Sequence, residues 1–292
     1  MSRLFSFLTN GPLLTDGAWG TELALRGLPA GQPADLWNLH HPDRVAEVAQ
    51  AYADAGSRVL LTNTFRSNRI ALESSGEGDA VARINQQGVA ISRHAAKDRA
   101  RVFASIGPTG RVLITGDVDP AAVRAAFHEQ AEACAEADAL LLETFSDLEE
   151  ARLACEAALA TGLPVIVSFA FDTGKRKDRT MMGVTPEQAA KFALDHGLDG
   201  IGANCGVGIE QAIGLCQRLR AVAPSLPVWI KPNAGLPEII NGEPAYRVAP
   251  EDFAEHVPAL LDAGASFIGG CCGSSPAFIR ASAAKMSQCG FS

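Results

Sequence analysis

The chain has 292 residues, 47% hydrophobic and 20% charged, the balance of an ordinary globular protein with ample length for a large core. Its net charge of −8 speaks against nucleic acid or an anionic membrane surface as a partner, and the short basic run Lys175-Arg176-Lys177 is followed at once by Asp178. No stretch approaches the roughly 20 apolar residues of a membrane span, the N-terminus reads as lacking a secretory leader, and an odd count of seven cysteines suits a reducing compartment, so the expected location is cytoplasmic.

Eight short apolar segments recur along the chain, at 12–16, 58–63, 102–107, 139–144, 165–171, 200–204, 228–232 and 266–270. Their mean interval of about 36 residues is the size of a βα unit. Near-continuous runs such as Val59-Leu60-Leu61 and Val165-Ile166-Val167 suit strands covered on both faces. Helical spacing follows the first segment, where Val45, Val48, Ala49, Tyr52 and Ala53 share a face and Gly56 is placed to end the helix. Ser146 with Glu149 reads as a capping box, and Thr185-Pro186 with Gln188 opens another helix. Segment 172–183 is expected to be a loop after the fifth strand that covers the site, and Leu260, Leu261 and Gly264 close the helix before the eighth. Eight alternations predict an α/β fold, a single (β/α)8 TIM barrel in which residues 1–292 form one domain. A doubly wound sheet is the alternative, though it usually has fewer strands at this length.

In such a barrel, function gathers at the carboxyl ends of the strands. Those ends carry Asp16, Asn63, Glu143, Cys205, Asn233, Cys271 and Cys272. Gly269-Gly270-Cys271-Cys272-Gly273 follows the last apolar segment, and Cys205 sits 66 residues before Cys271 at an equivalent strand end. Three thiols there could bind one thiophilic metal and leave its fourth position open. A vicinal disulfide, or small buried residues, is the plainer alternative. Three thiolates favour Zn²⁺, with copper(I) and an iron–sulfur cluster less suited to the spacing. Zinc with three thiolates carries a net charge of −1, which makes it poor at activating water and suited to a substrate sulfur, so the expectation is alkyl transfer to a thiol rather than hydrolysis. Cys134, Cys155 and Cys216 fall at helical spacing and read as small apolar packing residues.

The sequence resembles the homocysteine S-methyltransferase family, which includes betaine–homocysteine methyltransferases and the homocysteine domain of cobalamin-dependent methionine synthase. The resemblance rests on Asp16-Gly17-Ala18-Trp19-Gly20-Thr21-Glu22-Leu23, Thr62-Asn63-Thr64-Phe65, Leu142-Glu143-Thr144, Ala203-Asn204-Cys205 and the Gly269–Gly273 segment, in order along residues 16–273. It implies a zinc enzyme that transfers a methyl group to homocysteine and yields methionine, with Cys205, Cys271 and Cys272 as metal ligands. It further implies that Asp16 and Glu143 hold the substrate's amino group, that backbone N–H groups at Gly17 and Ala18 take its carboxylate, and that Asn233 fills the metal's fourth position before substrate arrives. Asn63 and Asn233 stand as substrate contacts, with loop fixing as the alternative. Trp37 matches one position of an aromatic cage for an onium donor, whereas Arg66 and Thr144 stand where further aromatics are expected. That disfavours betaine and leaves a small onium donor such as S-methylmethionine, or a separate corrinoid protein. The partners implied are homocysteine and a small methyl donor, with room for a homo-oligomer. Competing readings are the homocysteine-activating module of a multi-protein cobalamin-dependent methionine synthase and a non-catalytic zinc-binding barrel.

Overall fold

A computed structural model describes residues 2–236, 238–240 and 243–291. Its strands, in chain order, are β1 (Leu13–Leu14), β2 (Val59–Leu61), β3 (Arg101–Ile106), β4 (Ala139–Phe145), β5 (Val165–Phe169), β6 (Gly200–Gly208), β7 (Val228–Asn233), β8 (Glu238–Ile240), β9 (Glu243–Ala245) and β10 (Phe267–Ile268). Eight of them form a parallel sheet in the order β1-β10-β7-β6-β5-β4-β3-β2. A parallel bridge from Thr15 to Val59 joins the two ends of that order and closes the sheet into the predicted TIM barrel. Every apolar segment named from the sequence contributes a barrel strand.

Two differences are local. β6 runs to Gly208, past the expected end at 204, and its pairing with β7 slips between Asn204 and Gly208. The glycine-rich stretch carries no alternation from which that extension could be read. β8 and β9 form an antiparallel hairpin that the sequence pattern did not announce.

The helix termini follow their side chains. Pro42–Ala55 ends at Gly56, whose φ of 107° closes the last turn. Pro186–Asp195 opens on the expected Thr185 and Gln188 capping box. Leu148–Leu159, however, is capped by Asp147, whose carboxylate accepts from the Glu149 N–H at 2.9 Å, and not by Ser146. Aspartate competes well at this position because its charge also meets the helix dipole.

Inside the barrel two layers are stacked. The lower one is apolar: Leu4, Val59, Leu61, Phe103, Leu141, Ile166, Trp229 and Phe267 form a buried cluster. Ring centroids of Phe103, Trp229 and Phe267 lie 5.4–6.0 Å apart. Strand side chains alternate, so the residue two positions on shares the same face. That places Ser105, Glu143, Ser168, Lys231 and Gly269 directly above Phe103, Leu141, Ile166, Trp229 and Phe267. The intervening residues, among them Val102, Ala104, Leu140, Leu142 and Ile230, face outward into the larger core shared with the helices.

Candidate active site

A cavity of about 520 Å³ opens at the carboxyl mouth, with Trp19, Phe65, Glu143, Lys231 and the three strand-end cysteines in its wall. The Sγ atoms of Cys205, Cys271 and Cys272 all lie within 4.8 Å of one another, and Cys205 and Cys272 are 3.8 Å apart. Thiolates at ~2.3 Å from a tetrahedral zinc are ~3.8 Å from each other, so this spacing fits one ion. All three cysteines are free, which removes the vicinal disulfide as a description of this structure.

Local backbone geometry explains how the sulfurs meet. Cys205 has φ +59° and Thr144 φ +66°, both in the left-handed region, at the ends of β6 and β4 where the strand pairing slips. Such conformations cost of order 1–3 kcal/mol each and need outside support. Asn204 supplies it: its amide accepts from the Thr144 N–H (2.9 Å) and Ser168 hydroxyl (2.7 Å) and donates to the Thr144 hydroxyl (2.7 Å). At the other strand end, a Cβ on Gly269 or Gly270 would overlap the Thr15 or Ser274 hydroxyl, so only glycine fits before the cysteine pair. The Cys271 N–H donates to the Pro232 carbonyl at 2.7 Å, and the Cys272 carbonyl accepts from Ala234 at 2.9 Å, locking the turn to β7.

The electrostatics are those of a shared anionic cluster. Hydrogen bonds from Cys271 and Cys272 pull the Cys205 thiol down to about 3, and the same contact pushes Cys272 up to about 11. One thiolate therefore forms readily, and two more negative charges need a cation. Asn233 Oδ1 is buried with no hydrogen-bond partner among the described residues, beside Cys205. Three close sulfurs and an orphaned oxygen make a donor set that suits a soft divalent metal.

The remaining charges lie on the polar layer. Asp16 is fully buried and forms an ion pair with Lys231, itself 2% exposed. The Asp16 carboxylate also accepts from the Leu61 N–H at 2.7 Å and the Trp19 indole at 2.8 Å. Glu143 accepts from the Ser105 hydroxyl, and burial pushes its carboxyl upward, opposed mainly by the charge of Lys231.

A model of the family described as homocysteine S-methyltransferase matches residues 13–286. The chain belongs to the homocysteine S-methyltransferase family. Methionine synthase from Mycobacterium tuberculosis is 31% identical over 307 residues, covering 98% of this chain and 25% of that protein. The Mycobacterium leprae methionine synthase is 30% identical over 312 residues, with the same shares covered. The chain thus spans about a quarter of the length of the curated relatives it matches. The oxidized form of the homocysteine methyltransferase MmuM from Escherichia coli superposes with a TM-score of 0.79 at 25% identity, covering 97% of this chain and 99% of that one. Its metallated form shares the fold at the same TM-score and 24% identity.

Against the roles that the family resemblance implied, the structure sorts the residues. Cys205, Cys271, Cys272, Glu143, Asn63, Gly17 and Ala18 line the one cavity. Asp16 does not; it lies behind Lys231 with its oxygens engaged. The Ala18 N–H already donates to the Ser274 carbonyl at 3.1 Å, so it is occupied in this conformation. Asn63 spends both amide donors on Ala34 and Asn38, at 2.8 and 3.0 Å, which is the loop-fixing alternative. Trp37 is outside the cavity wall, 3% exposed, with its ring 4.7 Å from that of His41. Nor does segment 172–183 reach the cavity: Arg218 holds it through Asp178 at 2.8 Å, and Thr180 donates to the Ser146 carbonyl at 2.6 Å. Sequence reasoning missed Lys231, Ser105 and the bracing by Asn204. Lys231 and Ser105 stand two residues after Trp229 and Phe103, a spacing that becomes a signal only once those rings are seen to face inward.

Proposed function

We propose that this chain is a zinc-dependent methyltransferase that moves a methyl group from a small onium donor such as S-methylmethionine to the thiol of homocysteine, giving methionine. The observation that carries the reading is the meeting of three free thiols in the wall of a cavity that also presents a carboxylate. Cys205, Cys271 and Cys272 would hold the zinc ion, which would supply a soft Lewis acid able to keep a substrate thiol deprotonated near neutral pH. Glu143, on the same wall, pairs with the substrate ammonium and orients the amino acid so that its sulfur points to the cysteines. The sulfur attacks the donor methyl in line, the C–S bond forms as the onium bond breaks, and the bonding pair stays with the donor, which from S-methylmethionine leaves as a neutral thioether. The protein's part is to hold sulfur and methyl within ~3–3.5 Å and to keep water out.

A second reading has one observation behind it. Because the chain matches about a quarter of each mycobacterial methionine synthase, it fits the homocysteine-activating part of a multi-protein system with a corrinoid donor. Purified protein assayed with homocysteine and either S-methylmethionine, betaine or methylcobalamin separates the two. Turnover with S-methylmethionine supports the first reading; turnover with methylcobalamin alone replaces it with the second.

A further inference from the structure

Lys231 carries an ammonium with three N–H donors, 2% exposed, in the wall of the cavity. Among the described residues only Asp16 accepts from it. The Trp229 ring lies 5.8 Å from Nζ on the floor side and offers a weak cation–π contact. Asp16 is itself fixed by the Leu61 N–H and the Trp19 indole, so it acts as an anchor that sets where Nζ sits. Two donors of a desolvated cation are then left at the cavity wall. Buried donors of this kind need an acceptor. The neighbouring Glu143 offers the opposite charge on the same wall, and of the two backbone N–H groups expected for a substrate carboxylate, at Gly17 and Ala18, that of Ala18 is already taken.

We propose that Lys231, positioned by Asp16, is a specificity residue of the acceptor site and receives the α-carboxylate of the thiol substrate, while Glu143 receives its α-ammonium. The inference rests on the acceptor being an amino-acid thiol, as argued above. The three subsites then read the three ends of one molecule: cysteines for sulfur, Glu143 for the cation, Lys231 for the anion. A thiol that lacks either charge leaves a buried group unpaired and is rejected.

The test compares homocysteine with 3-aminopropanethiol, which lacks the carboxylate, and with 4-mercaptobutyrate, which lacks the ammonium. Wild-type protein should favour homocysteine over 3-aminopropanethiol by about 10- to 100-fold in binding, measured by calorimetry, and in kcat/KM. The double variant Asp16→Asn with Lys231→Met removes the anchor and the cation together, so that neither is left charged without the other. It should lose that preference through KM with kcat within a few-fold, whereas Lys231→Arg should keep it. Equal wild-type affinity for homocysteine and 3-aminopropanethiol overturns the assignment, and needs no variant to be seen. Tighter wild-type binding of 4-mercaptobutyrate than of homocysteine also overturns it, because Lys231 would then be occupying the ammonium subsite. Homocysteine bound with the stated preference but never methylated tells against the proposed reaction and leaves the role of Lys231 standing.

Discussion

The floor and the mouth of this barrel are made by the same strands, two residues apart, and they answer to different physics. On the floor, Phe103, Leu141, Ile166, Trp229 and Phe267 interlock as shapes, and what matters is volume filled. One step up, about 7 Å along each strand, Ser105, Glu143, Ser168 and Lys231 are held by hydrogen bonds and charge. The comparison shows how a parallel strand divides its labour: one inward residue builds the fold, the next inward residue builds the site. The strained turns at Thr144 and Cys205 sit in the upper layer alone, and the lower layer needs none.

The comparison breaks most visibly at the sulfurs. Cys272→Ala is expected to lose bound metal and reduce methionine formation to background, while far-ultraviolet circular dichroism shows the barrel intact. In the floor, Trp229→Ala should instead cost about 3–5 kcal/mol of unfolding free energy by leaving a large cavity. Lys231→Met should cost a similar ~3–5 kcal/mol for a different reason, an unpaired buried Asp16, and adding Asp16→Asn should recover most of it. Denaturant melts that show no recovery would mean that the pair is not the cause.

Smaller effects sharpen the same contrast. Burial raises the Glu143 carboxyl above its ordinary 4.5, so its contribution to stability is full below pH 4.5 and declines as pH rises through the raised value. Glu143→Gln should therefore flatten the pH dependence of stability above 4.5 and raise the KM for homocysteine about 10- to 100-fold. Smallest is a pair outside both layers. Hydrogen bonds from Arg218 hold Glu187 down at about 2, so its stabilisation is present above pH 4.5 and lost as pH falls through about 2. With the two side chains 34% and 46% exposed, Glu187→Gln should cost about 1 kcal/mol or less at neutral pH, fading in acid.

The barrel was legible because strands covered on both faces are written as apolar runs at regular spacing, and all eight were found that way. The cysteine triad was legible because strand ends converge in this architecture, which brings Cys205 to Cys271 and Cys272 across 66 residues of chain. Register was harder to read. Nothing in the run Val228-Trp229-Ile230-Lys231 says which residues face inward until Trp229 is seen packed against Phe103, and so Lys231 was passed over; Asp16, to which the family resemblance gave the substrate ammonium, is paired with it. Trp37 matches a cage position by family resemblance, with packing as the alternative; its ring packs against His41, outside the cavity wall. The bracing by Asn204 depends on two left-handed turns that no local pattern encodes.

The most direct measurement is zinc-edge X-ray absorption on purified, zinc-loaded protein before and after addition of homocysteine. The account predicts three sulfur neighbours rising to four. A shell that stays at three sulfurs with saturating homocysteine, or one already closed by four protein ligands, would contradict it.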